Sequence, residues 1–269
     1  MPFQPSDHTF ALCAYGESPY LEECILSLRA QTVPSRLLIA TSTPSEFISR
    51  LAEKHGIPLF VNDRKEGIGA DWNFAYNAAE TALVTVAHQD DLYEPGYTEH
   101  MLSDVNGSKK PILWFCDYWE LRNGARVHDN RNLRIKRLML FPLKGRLFRS
   151  SRWMRRRILS LGCPICCPSV TYVRERAGRE GPFSTEMLVS LDWDQWEKQS
   201  QKKGDFLYCP VPLLSHRIHA ESATSALIAS QRRSREDSEM FHRFWPAPVA
   251  RFLAGKYVAS EKSNGSIND

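Results

Sequence analysis

No run of 18 apolar residues occurs in this chain, which removes a membrane-spanning helix from the expectations. The amino terminus, MPFQPSDHTF, lacks the charged-then-apolar pattern of a secretory signal. Both absences lead us to expect a protein made and kept in the cytoplasm. Seven cysteines, an odd number without regular spacing, fit reduced thiols better than a disulfide framework. CPICC (Cys163 to Cys167) is half of a zinc pattern whose second half is missing, so small buried hydrophobes are the default reading. Internal repeats and nucleic-acid reader motifs are also missing. From Asn130 to Arg174 there is no Asp or Glu, against 12 Lys or Arg. The rest of the chain then sets 23 bases against 31 acids. A single basic segment on an otherwise acidic protein suggests a surface that meets something anionic.

What is present is ordinary globular material, 42% apolar and 25% charged, long enough for one large α/β domain or two small ones. FALC (Phe10 to Cys13) is a short apolar run. Ser18-Pro19 opens a helix in which Leu21, Cys24, Ile25 and Leu28 recur at helical spacing. LLIAT (Leu37 to Thr41) is a second strand, and Thr43-Pro-Ser-Glu46 reads as a capping box for the next helix. PLFVN (Pro58 to Asn62) is a third strand, a helix follows over about 70–82, and LVTVA (Leu83 to Ala87) is a fourth strand. Strand and helix alternating in this way predict a parallel sheet covered by helices, with ligands at the carboxyl ends of the strands. Further on, ILWFCDYWEL (Ile112 to Leu121) turns back at Asn123-Gly124 as a hairpin. The basic stretch is predicted helical on both sides of Pro142. SLDWDQWEKQSQKKG (Ser190 to Gly204) is a helix with acids in its first turn. FLYCPVPLL (Phe206 to Leu214) is a late strand, the chain is helical from Ser225 to Trp245, and SEKSNGSIND is expected to be disordered.

Three groups could carry chemistry. Asp90 and Asp91 end the fourth strand, where two adjacent carboxylates either serve a cation or cap a turn. Asp192 and Asp194 lie in the first turn of their helix, where helix-dipole stabilisation is the plain alternative. SHRIH (Ser215 to His219) adds two histidines after a strand.

In this order, the motifs resemble those of the family-2 glycosyltransferases over about residues 9–224. FALCAYGESPYLEECILSLRAQT is similar to the family's opening strand, tyrosine loop and helix. NDRKEGIGADWNFAYNAAETA is similar to its N-x-G-x-x-x-A-x-N helix, and HQDDLYEPGY to its DxDD…P element. LDWDQWEKQSQKKG resembles EDWD, and HRIHAESAT a later R-x-H…S-x-T. The resemblance implies a GT-A fold: a Rossmann-like, mostly parallel sheet flanked by helices, with a basic helical insertion at 130–162 and C-terminal helices. It implies a transferase domain over 1–224 and a helical extension with a disordered tail over 225–269. It also implies donor contacts from Ala14, Tyr15, Glu17, Thr41, Asn73, His88, Gln89 and Asp90. A divalent metal (Mn2+ or Mg2+) would sit on Asp90, Asp91 and His219, and Asp192, with Asp194 beside it, would act as general base in an inverting transfer.

The sequence departs from the family pattern in three places. Thr41-Ser42-Thr43 replaces an acidic stretch used on the base, His88 replaces the first acid of DxDD, and Leu191 replaces the acid before Asp192. These departures keep open a degenerate domain that binds a nucleotide sugar or a partner without transfer. AHQDD (Ala87 to Asp91) also resembles the AHPDD of zinc de-N-acetylases, which place it after their first strand. The basic segment is either a solvated face, an arm packed near the diphosphate, or a membrane contact. Leu138, Met139, Leu140, Phe141, Leu147, Phe148, Trp153, Ile158 and Leu159 interleave with its bases, as an interfacial segment requires. The expected partners are a nucleotide-sugar donor, a glycan or lipid-linked acceptor and an anionic membrane surface through 131–159, with no nucleic acid.

Overall fold

A computed structural model describes residues 1–219 and 232–265, with side chains through Tyr257. The expected alternation is present at the start: β1 (His8–Ala14), α1 (Leu21–Arg29), β2 (Arg36–Thr41), α2 (Glu46–Lys54), β3 (Leu59–Val61), α3 (Ile68–Ala78) and β4 (Leu83–His88). After it come β5 (Leu92–Tyr93), α4 (Tyr97–Asn106), β6 (Pro111–Arg122) and β7 (Ala125–Val127). The basic segment forms α5 (Arg131–Leu140), a 3-10 turn (Phe141–Lys144) that absorbs Pro142, α6 (Arg146–Arg149) and α7 (Arg152–Leu159). Then follow β8 (Val170–Val173), α8 (Arg174–Ala177), α9 (Leu191–Ser200), β9 (Asp205–Ile218), α10 (Arg232–His242) and α11 (Ala247–Gly265).

The strands form one sheet in the order β3-β2-β1-β4-β8-β6-β9-β5, with β7 paired to β6. β1 to β4 are mutually parallel, β8 runs against β4 and β6, and β6 and β9 are parallel. The chain leaves β1 toward β2 and β3, then returns on its other side as β4. The strand order therefore reverses between β1 and β4, and a crevice opens beyond Ala14 and His88. Helices cover both faces. Leu21, Ile25, Ile48, Tyr97 and Met101 pack on one side, and Trp72, Tyr76, Trp193, Trp196 and Phe241 on the other. Period-2 alternation within β1 explains the split: Phe10 and Leu12 join the first layer, Ala11 the second.

Several local expectations shift by a residue or two. Ser18 Oγ accepts from Tyr20 N at 3.3 Å, and the helix itself begins at Leu21. Ser45, not Thr43, caps α2 through Ile48 N, which frees the Thr43 hydroxyl for the first loop. The hairpin turn has φ of 48° at Asn123 and 79° at Gly124, the left-handed pair that two-residue hairpins need. β9 runs four residues past Leu214 and carries His216 and Arg217 on a strand instead of a loop. The extension contributes Met240, Phe241, Ala250 and Ala254 to the second layer. α11 continues to Gly265, into the segment expected to be disordered. The expected helix over 225–231 and the S-x-T of Ser222 and Thr224 lie outside the described residues.

Candidate active site

The crevice begins with a two-point clasp between its walls. Tyr15 N donates to Gln89 Oε1, and Gln89 Nε2 donates to Tyr15 O, both at 2.9 Å. This joins the loop after β1 to the loop after β4 and leaves the Tyr15 ring exposed at the rim, near exposed Glu17. Beneath them, Gly16 N donates to Thr43 Oγ1 at 2.7 Å, and Thr43 N to Thr41 Oγ1 at 3.0 Å. Ala14 and Thr41 are buried at the ends of β1 and β2. An acid from elsewhere reaches Thr41-Ser42-Thr43: Asp71, in the first turn of α3, accepts from Ser42 Oγ at 2.9 Å and Asn62 Nδ2 at 3.3 Å. Sequence reasoning missed this, because Asp71 precedes β4 in the chain and meets Ser42 only through the β2–α3 contact.

Asp90 and Asp91 have different surroundings. Asp91 is fully buried, and its Oδ1 accepts from Arg217 N at 2.9 Å and His216 Nδ1 at 3.0 Å. Its Oδ2 makes no hydrogen bond and has His88 Nδ1 at 4.0 Å. Asp90 is half-buried, and its Oδ2 faces His219 Nε2 at 2.9 Å. Arg217 fastens the pair from below, donating to Asp90 O at 2.8 Å and Glu23 Oε2 at 2.6 Å while stacking over Tyr20. Burial by itself lowers the His216 pKa, but the adjacent Asp91 carboxylate outweighs it and the net shift is upward. His88 is stacked on Trp72 with ring centroids 4.7 Å apart, and burial pushes its pKa down to about 4, so it is neutral. A neutral imidazole thus stands where the family pattern has an acid.

Two other expectations change. Asn73 spends its amide on a backbone clamp, donating to Phe183 O at 2.9 Å and accepting from Phe183 N at 2.8 Å. It holds the 181–185 segment against α3, where a Cβ on Gly69 would lie 2.0 Å from Ser184 O. The second concerns the acids of α9, which sit two residues apart and so point about 200° apart around the helix. Asp194 is buried between Lys198 Nζ at 2.6 Å and Arg243 Nη1 at 2.5 Å, an ion-pair tie from α9 to α10. Asp192 accepts from Trp193 N at 2.7 Å, with Cys163 Sγ 3.6 Å from its other oxygen. Burial pushes the Asp192 carboxyl above its usual range, against those two contacts. Leu191 is a buried core residue. All seven cysteines are free, and among the described residues no group of three His, Cys, Asp or Glu is gathered for a metal.

The basic segment divides. Arg137 pairs with Asp117, Arg149 with Asp205 and Arg156 with Glu197, while buried Arg155 caps the carbonyls of Lys202 and Gly204. Much of its charge therefore answers acids elsewhere in the fold, a pairing that local composition does not show. Lys136 points inward to Tyr118 OH at 3.0 Å. Arg134, Lys144, Arg146, Arg152 and Arg157 stay exposed.

Comparison with known proteins agrees with this geometry: the model of glycosyl transferase family 2 matches residues 9–177. The chain belongs to that family. An uncharacterized glycosyltransferase of Rickettsia typhi is 21% identical over 223 residues, covering 80% of this chain, which in turn spans only 64% of that relative. TarS of S. aureus, in complex with UDP-GlcNAc, superposes with a TM-score of 0.63 at 13% identity, over 93% of this chain and 71% of its own. The mannosyltransferase PcManGT of Pyrobaculum calidifontis, in complex with GDP-Man and Mn2+, superposes with a TM-score of 0.63 at 16% identity, over 95% and 71%. These likenesses fix the fold as GT-A. With the family known, the de-N-acetylase reading of AHQDD falls.

Proposed function

We propose that this family-2 glycosyltransferase moves a sugar, with inversion, from a nucleotide-sugar donor to a hydroxyl of a surface-polysaccharide or lipid-linked glycan acceptor. The observation that carries the reading is Asp192: a half-buried carboxylate whose pKa burial raises, without an ion pair among the described residues, while its neighbour Asp194 is paired with Lys198 and Arg243. A carboxylate with a raised pKa is a better proton acceptor than an ordinary aspartate. Asp192 would take the acceptor hydroxyl's proton as that oxygen bonds to the anomeric carbon. The bond from that carbon to the diphosphate breaks, and the diphosphate leaves with the electron pair.

Asp90 and His219 suit a divalent cation. One offers a carboxylate oxygen and the other an imidazole nitrogen, 2.9 Å apart in a hydrogen bond that a bound cation would replace. Mn2+ or Mg2+ held there would stabilise the charge on the departing diphosphate. Asp91 orients from beneath, through His216 and the Arg217 amide. Ala14, Tyr15, Glu17, Thr41, His88 and Gln89 line the donor crevice, with Asp71, Ser42 and Asn62 as polar partners for the base. Asn73 supports this wall indirectly, by holding the Phe183 segment.

The acceptor side rests on an exposed face. Leu138, Phe141, Leu147 and Trp153 are 63–86% exposed beside Lys144, Arg146 and Arg152, which have no ion pair among the described residues. Apolar side chains that large, set among bases, fit an anionic bilayer at which a lipid-linked acceptor resides. No helix among the described residues is long and apolar enough to cross a membrane. The contact proposed is peripheral, through this exposed face.

Calorimetry against UDP-, GDP- and dTDP-sugars, with and without Mn2+, tests the donor reading. Metal-dependent binding of one donor, followed by release of its nucleoside diphosphate, supports it. Binding without any turnover would favour a degenerate domain, which the neutral His88 already makes the second reading.

A further inference from the structure

Lys136 is unusual among the bases of its segment. It lies on α5, half-buried, and its ammonium has one hydrogen bond, to the neutral Tyr118 hydroxyl at 3.0 Å. Among the described residues no carboxylate lies within ion-pair distance of it, whereas Arg134, Arg137, Arg149 and Arg156 each have one. A half-buried ammonium with no carboxylate partner keeps its charge available to an anion that arrives. The Tyr118 ring meets His216 edge-on, with centroids 6.2 Å apart, and His216 is bonded to Asp91. Through Tyr118 and His216 it therefore lies next to the acid pair.

We infer that Lys136 binds the diphosphate of the donor and of the product, so that the basic segment contributes a catalytic residue as well as a surface. This rests on the donor reading above. Arg137, the next residue, is paired with Asp117 Oδ2 at 2.7 Å and anchors α5 to β6. A lysine is suited to the task, since its ammonium is a compact charge that can follow the phosphate oxygens as the bond breaks. Together with the cation on Asp90 and His219, it would share the charge that develops on the leaving group.

The test compares wild type, Lys136→Met, Lys136→Arg and Tyr118→Phe. Each is titrated calorimetrically with UDP, GDP and dTDP and with the matching nucleosides, and melting temperatures show that each is folded. The expected result is that Lys136→Met weakens the accepted nucleoside diphosphate about tenfold, as loss of one charge-assisted contact does. Its nucleoside affinity stays unchanged, Lys136→Arg recovers most of the loss, and Tyr118→Phe loses less than Lys136→Met. Unchanged diphosphate affinity in Lys136→Met overturns the inference. So does a shifted pH–rate profile with unchanged diphosphate affinity, because Lys136 would then act on Asp192. If wild type binds a donor, the donor reading stands whatever Lys136 does. If wild type binds none of these nucleotides, the donor reading fails and this inference with it.

Discussion

Replacing Asp192 by Asn should make the protein more stable and nearly inactive. Burial raises the Asp192 pKa above the ordinary aspartate value of 3.8. A carboxyl whose folded pKa exceeds its unfolded one favours the folded state fully only while protonated, below the unfolded value. That contribution is lost as pH rises through the folded value, so at pH 7 the ionised group works against the fold. Each unit of elevation corresponds to about 1.4 kcal/mol. Asn keeps an oxygen for the Trp193 N–H and carries no charge. In a chain of this size, 1 kcal/mol moves Tm by roughly 2–4 °C. Asp192→Asn should therefore melt above wild type at pH 7, and the gap should close by about pH 2.8, one unit below the ordinary value, where both states of the wild type are largely protonated. Transfer should fall by about 10²–10⁴, the usual contribution of a positioned base. Donor affinity should change little if Asp192 serves the acceptor, as proposed. Differential scanning fluorimetry at both pH values and the initial rate of nucleoside diphosphate release are sufficient assays. A mutant no more stable than wild type at pH 7 would refute the stability reasoning, and wild-type turnover would refute the base assignment.

Other expectations follow from neighbouring contacts. His219→Ala and Asp90→Asn should each weaken donor binding in the presence of Mn2+ by at least tenfold, with a smaller change under EDTA; equal losses in both conditions would remove the metal from these residues. Arg243→Met takes one of two cations from the buried Asp194 carboxylate and should cost about 1–3 kcal/mol in urea denaturation, as an undercompensated buried group does. A loss under 0.5 kcal/mol would make that tie unimportant. Because Leu143, Arg155, Ile158 and Leu159 are core residues, the membrane face is best probed by Phe141→Ser, Leu147→Ser and Trp153→Ser together. Wild type should sediment with phosphatidylserine-containing vesicles and the triple mutant should not, with Tm unchanged; equal sedimentation would reject the surface.

Much of this protein could be read locally. Alternating apolar runs and helical spacings placed β1 to β4 and α1 to α3 within a few residues, because each element buries one face and its period is written in consecutive positions. Asn123-Gly124 specified its turn, since few other residue pairs take two left-handed conformations. The order of motifs pointed to the family and to Asp90, Asp192 and His219. Tertiary structure decided what those residues touch. Asp90 and Asp91 are neighbours in sequence, yet one faces His219 and the other is buried on His216 and the Arg217 amide, because β5 and β9 close over the turn. Asp192 and Asp194 look equivalent in LDWDQW, and only the packing of α10 brings Arg243, just past its end, to Asp194, while Asp192 has no ion pair among the described residues. The acid that reaches Ser42 after β2 is Asp71, 29 residues further along the chain. The basic segment read as one charged stretch, while the fold divided it into paired arginines, an exposed apolar face and a Lys136 turned inward to Tyr118. A hydrophobic pattern is local and periodic, so one sequence displays it. The environment of a charge depends on residues distant in the chain, and it exists only once the sheet has brought them together.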